Sequence, residues 1–247
     1  MKNYKVILPV LGLLIILLSN LALAITAEEI INRRDDNEYI VSARVESEMV
    51  IINGGRKMVK TMISLTDGRD GLTEFTNPRD RGTKFLKRGD DLWMFFPDAE
   101  DVVKISGHML NQGMMGSDFS YQDIMESDKL TDLYNFEVIG EEEFAGRPCY
   151  LLEGIAKEGA EVSYYRRKIW IDKERFIGLK MELYAQSGRL LKVSRAEKVE
   201  KIEGRWLPTE SVMENKLRRN TRTEFKIISI EFNPEIPGGT FTLQNLQ

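Results

Sequence analysis

The chain has one histidine, His108, and it precedes Ser117, Asp118 and Ser120 in the stretch "ISGHMLNQGMMGSDFSYQD" at 105–123. Imidazole, hydroxyl and carboxylate are the parts of a nucleophilic triad, in which histidine takes the hydroxyl proton and the carboxylate fixes its tautomer. The setting does not support that chemistry, because no G-x-S-x-G turn presents a strained serine and nothing marks an oxyanion hole. A lone histidine excludes a histidine-rich metal site, and no His and carboxylate cluster has ligand spacing. Asp90 and Asp91, and Glu141, Glu142 and Glu143, are carboxylate runs of the kind that glycoside hydrolysis uses. Neighbours on a strand point to opposite faces, however, so these runs read as a hairpin turn and a solvated face. The expectation is a protein that is not an enzyme, without catalytic residues, metal or cofactor.

Two basic clusters suggest contact with anions. "KLRRNTR" at 216–222 concentrates Lys216, Arg218, Arg219 and Arg222 near a hairpin tip, and "YYRRK" sets Arg166, Arg167 and Lys168 beside two tyrosines. They suit anionic lipid headgroups or a membrane partner. They suit equally a solvated strand edge guarded by charge, the more usual arrangement. The formal net charge of -4, with both signs mixed along the chain, gives no electrostatic reason to expect nucleic acid.

Apolar residues in and near the histidine stretch are more informative. "LWMFFP", Leu92 to Pro97, is apolar on both faces of a strand, with Trp93 and Phe95 on one side and Leu92, Met94 and Phe96 on the other, so both faces need cover. The next apolar material in sequence is Met109, Leu110, Met114, Met115, Phe119, Ile124 and Met125. Methionine is unbranched and polarizable, so such a lining repacks around ligands of varied shape. Two arrangements fit: a movable lid over a hydrophobic cavity, or side chains that plug the sheet as permanent core.

The surrounding elements are mostly strands. Thr26 with Glu29 forms a capping box that opens a short helix. From Tyr39 the period becomes two, with Val41, Ala43, Val45, Met49 and Ile51 on one face, and "NGG" at 53–55 supplies a tight hairpin. Turn signals recur at "KRGDD", "AGRP", "IDKER", "QSGR" and "IEGRW". Together they imply about eleven strands, mostly antiparallel, in a large curved sheet or barrel. The rhythm breaks only at the mature N-terminus and from about Gly107 to Asp132, where Ser120 with Asp123 makes a second capping box ahead of Tyr121, Ile124 and Met125.

Lys2 and Lys5, the apolar run Val6 to Leu18, and small residues Ala22 and Ala24 have the layout of a secretory signal peptide at 1–24, leaving a single domain at 25–247. The cleavage region has no cysteine to carry an N-terminal lipid, and Cys149, the only cysteine, excludes an intramolecular disulfide. The mature chain is expected to be soluble and held together by its core.

The stretches "FLKRGDDLWMFFPDAEDVVKISGHMLNQGMMGSDFSYQDIM", "YYRRKIWIDKERFIGLKMELYAQSGRLLKV" and "EIPGGTFTLQNL" resemble the outer-membrane lipoprotein-sorting proteins of the LolA-like superfamily, in the branch with the G-S-D-F-S-Y segment. The resemblance runs over nearly the whole mature chain. It implies an unclosed, strongly curved antiparallel β-barrel with short helices in its concave face. Gly116, Ser117, Asp118, Phe119, Ser120 and Tyr121 would then shape the loop entering a lid helix, and Trp93 and Phe95 would line or underlie the hollow. By the same resemblance the protein would be a periplasmic carrier of lipoprotein acyl chains or lipids, served by an inner-membrane exporter and an outer-membrane acceptor. The alternative is a periplasmic sensor or adaptor that binds lipid or an outer-membrane protein and reports to an inner-membrane partner.

Overall fold

A computed structural model describes residues 25–126 and 129–246; the expected signal peptide lies outside the described residues. The period-two patterns form strands β1 (Ser42–Asn53), β2 (Arg56–Asp67), β3 (Asp70–Phe75), β4 (Lys84–Arg88), β5 (Asp91–Phe96) and β6 (Asp101–Ile105). A second series holds β7 (Tyr134–Phe144), β8 (Arg147–Ala156), β9 (Arg166–Asp172), β10 (Gly178–Tyr184), β11 (Leu190–Ile202), β12 (Arg205–Asn215) and β13 (Thr221–Phe232). Each strand pairs antiparallel with the next, except β6 with β7, and β13 pairs back onto β1. The result is one curved 13-stranded sheet that does not close.

The fold class is the expected one, but the strands number thirteen rather than about eleven. The β1–β2 turn was legible because Gly54 and Gly55 take φ of 55° and 83°, as a two-residue hairpin loop requires. The turn from β5 to β6 gave no such signal, since its positive φ of 49° falls on Glu100.

Strands β6 and β7 follow one another in sequence yet lie at the two ends of the sheet order. The connection at 106–133 therefore has to pass from one edge to the other. It carries two short 3₁₀ turns, Gly107–Asn111 and Met114–Gly116, and helices α2 (Tyr121–Met125) and α3 (Leu130–Leu133). Helix α1 (Ala27–Glu38) begins as expected, with the Glu29 N–H donating to the Thr26 hydroxyl at 3.1 Å.

Both faces of the sheet are covered. On the inner face, the insert packs over Met49, Ile51, Met62, Phe75, Phe85 and Met94, and α1 packs Ile30 and Ile31 against Leu152, Ile169 and Ile171. On the outer face, Phe241 and Leu246 of the C-terminal segment close over Leu86, Trp93 and Phe95. No helix among the described residues is long and apolar enough to cross a membrane.

Cys149 belongs to a separate outer-face cluster with Leu151, Trp170, Ile177 and Leu179. Burial, reinforced by the Asp172 carboxylate, pushes its thiol up to about 11. The thiolate is the reactive form, so Cys149 is expected to resist maleimide in the native protein and to react promptly in denaturant. Comparable labelling rates in both states, followed by mass spectrometry, would contradict this placement.

Candidate lipid-binding hollow

The insert is pinned to the sheet by the residue that a triad would have used as its acid. Asp118 is buried, and its carboxylate accepts hydrogen bonds from the hydroxyls of Thr221 at 2.8 Å and Thr223 at 3.0 Å. Its own N–H donates to Thr223 Oγ1 at 2.9 Å, so one side chain and its backbone fasten the loop to β13. His108, by contrast, is exposed. Ser117 is turned onto its own loop, donating to the Phe119 carbonyl at 3.2 Å.

The loop is closed by Met114 N–H donating to the Phe119 carbonyl at 2.7 Å and Tyr121 N–H donating to the Gln112 carbonyl at 3.1 Å. A Cβ on Gly113 would stand 2.4 Å from the Ser117 carbonyl oxygen, so only glycine fits there. Ser120 then caps α2 with both bonds of a capping box present, as expected from its spacing to Asp123.

These constraints gather the methionine stripe. Met114 and Tyr121 are buried in the cluster over β1–β6, and Met109, Leu110, Met115, Phe119, Ile124 and Met125 pack against it. On this half of the inner face the insert fills the space with its own side chains. Trp93 and Phe95 are a correction: they point to the opposite, outer face, under the C-terminal segment, while Leu92 and Met94 face the insert. Alternation separated the two pairs, but which pair faced inward depended on a segment far along the chain.

A cavity of about 500 Å³ remains between α1, the α2–α3 side of the insert, and strands β1, β10 and β12. Val45, Phe119, Leu130, Met181, Leu183 and Met213 supply its apolar wall. Charged side chains from α1, the insert and β9 line much of the remainder, which differs from the purely greasy hollow that the methionine stripe suggests. Arg167, also on its wall, bonds Glu126 at 3.0 Å, and Lys192 bonds Asp123 at 2.7 Å. Through these two pairs, β9 and β11 hold α2 and the residue that follows it. Tyr164 donates to Asp123 at 2.6 Å, and burial together with that carboxylate pushes its phenol far above the usual range.

On the opposite wall, Arg34 bonds Asp35 at 2.8 Å and also pairs with Glu38. Burial works against the Arg34 charge, but Glu38 and Asp35 outweigh it and raise its pKa. Arg34 Nε, Asp35 Oδ2 and Arg167 Nε are buried without hydrogen-bond partners among the described residues. An unmet buried polar atom costs about 1–3 kcal/mol, so the ionic wall holds some unmet hydrogen-bonding capacity.

None of Arg34, Asp35 or Lys192 stood out in the sequence as a site residue. Arg167 was read with its neighbours as a charged edge or headgroup contact. The structure corrects that, because β9 is an interior strand and Arg167 is only 4% exposed. The available signal was parity, since Arg167 shares a strand face with Ile169 and Ile171.

The unclosed antiparallel sheet is consistent with the curved β fold of the LolA-like proteins. The chain belongs to that superfamily and, within it, to the family described as uncharacterized proteins, whose model matches residues 67–247. A DUF1329 family protein from Desulfovibrio piger has 28% identity and a TM-score of 0.81, the match covering 89% of this chain and 97% of that one. A LolA superfamily protein from Nitrosomonas europaea has 25% identity and a TM-score of 0.75 over 90% of this chain and 100% of that one. A putative outer membrane lipoprotein-sorting protein domain from Vibrio parahaemolyticus shares the fold, with 24% identity and a TM-score of 0.75 over 88% of this chain and 97% of that one. No curated protein matches the chain.

Proposed function

We propose that the protein is a periplasmic carrier that shelters acyl chains of lipoproteins or lipids in its hollow and moves them toward the outer membrane. The observation that carries this reading is the largely apolar cavity of about 500 Å³, walled on one side by an insert that two ion pairs attach to the sheet. Its size lies within the range of about 300–1,000 Å³ typical of small-molecule sites. Phe119, Met181, Leu183 and Met213 offer surface to an acyl chain, and the charged side chains on the same wall, Arg34 and Lys129 among them, offer partners to its polar end.

Magnitudes favour partial enclosure. A chain of about sixteen carbons gains about 12 kcal/mol if fully buried, at about 0.8 kcal/mol per methylene. Release at an acceptor then requires part of that gain to be offset, and displacing a packed insert does so. The methionines let the displaced stripe repack against cargo of varied shape. The signal-peptide layout of residues 1–24 supports export, and the carrier role assigns an inner-membrane donor and an outer-membrane acceptor as partners.

The reading gives Asp118 a fastening role, its carboxylate accepting from Thr221 and Thr223. The test is transfer of a fluorescent acyl lipid from donor to acceptor vesicles. Acceleration proportional to protein concentration supports the proposal, and a rate equal to spontaneous transfer would sink it.

A further inference from the structure

The two hairpin tips at one end of the sheet lie side by side: Asn53 pairs with Thr221, and the Gly54 N–H donates to the Asn220 carbonyl at 3.0 Å. Residues 53–59, "NGGRKMV", and 216–220, "KLRRN", are all exposed, and Arg222 just beyond them is exposed as well. Six cations meet here: Arg56, Lys57, Lys216, Arg218, Arg219 and Arg222. Neither 53–59 nor 216–222 contains an aspartate or glutamate, although the chain as a whole carries a net charge of -4. Lys216 and Arg222 pair with Glu214 and Glu224 from the strands behind, whereas Arg56, Lys57 and Arg219 make no ion pair among the described residues. Large apolar side chains interleave with the cations, with Leu217 at 49% exposure, Val59 at 45% and Met58 at 37%.

We propose that these two tips form a docking face for an anionic bilayer surface. Protruding tips that mix cations with exposed apolar side chains suit a bilayer, where phosphates meet the cations and Leu217 enters the interface. The charge imbalance also orients the molecule, since an anionic membrane attracts this end and repels the acidic remainder.

Docking here would bring the insert to the membrane. Asp118 bonds Thr221 and Thr223 at the root of the same hairpin, with Arg218 3.9 Å from its carboxylate. Met115 shares a concavity with Met58 and Val59 and holds a left-handed φ of 50°. The docking face stands independently of the carrier reading, because a membrane-binding surface is measurable whether or not the hollow holds cargo.

Co-sedimentation with vesicles of phosphatidylcholine, alone or with about one-third phosphatidylglycerol, tests it. Binding is expected to the anionic vesicles only. It should weaken strongly between about 0.1 M and about 1 M salt, as the screening length falls from about 10 Å to about 3 Å. Lys57→Ala with Arg219→Ala is expected to weaken binding about thirty-fold, from about 1 kcal/mol per cation near the surface. Both side chains are exposed, and an unchanged circular dichroism spectrum would show that the variant is folded. The proposal is overturned by equal binding to neutral vesicles, by no binding to either kind, by a folded variant that binds as wild type, or by capture of polyglutamate without capture of anionic vesicles.

Discussion

Phe119→Asp is expected to weaken binding of a fluorescent acyl probe by about a hundredfold while the sheet stays folded. Phe119 lines the cavity and packs its ring 6.3 Å from Phe225, between Asp118, which fastens the loop, and Ser120, which caps α2. Removing the ring forfeits about 1.5–3 kcal/mol of apolar contact, and a carboxylate facing an acyl chain adds a desolvation cost, so about 3 kcal/mol in total is a conservative sum. The new charge would also stand near Asp123 on the same wall, which compounds the loss. Phe119→Leu keeps the wall apolar and should bind nearly as wild type. Equal affinities for wild type and Phe119→Asp in a fluorescence titration would remove Phe119 from the binding surface.

The second large effect concerns the ionic wall. Arg167→Met is expected to destabilise the protein by about 3–5 kcal/mol, because it leaves Glu126 charged, with its side chain only 12% exposed, and without its arginine. Arg167 also donates to the Tyr134 hydroxyl and lies 4.0 Å over that ring, so the substitution disturbs β7 as well as the insert. Glu126→Gln alone leaves the Arg167 guanidinium buried and unneutralised, again at a cost of a few kcal/mol. Combined, the two changes leave no unpaired charge, so the double variant should lose clearly less than the sum of the singles, with a coupling of about 1 kcal/mol or more. Urea unfolding of the four proteins measures this. Strict additivity would mean that the pair does not hold α2 to β9.

Much of this architecture was written locally. Thr26 with Glu29 and Ser120 with Asp123 announced their helices because a cap is a contact over three residues, and "NGG" announced its hairpin because positive φ favours glycine. The lid stripe was legible as one apolar surface, and the structure does gather Met109 to Met125 in one cluster. Long-range choices were not legible. Trp93 and Phe95 could be separated from Leu92 and Met94 by alternation, but only the C-terminal Phe241 and Leu246 decide which pair lies outside. The ionic wall escaped notice because its members come from α1, the insert, β9 and β11, far apart in the chain. Within "RRKIWID", the shared face of Arg167, Ile169 and Ile171 was the one local hint that a cation had gone inside.

Native mass spectrometry of the protein purified without detergent tests the carrier role most directly, combined with extraction and identification of any lipid it retains. The expected result is a protein population carrying the added mass of an acylated lipid or lipoprotein, reduced or absent in Phe119→Asp. Bare protein in every preparation, with Met115→Glu and Phe119→Asp matching wild type in lipid transfer, would contradict it.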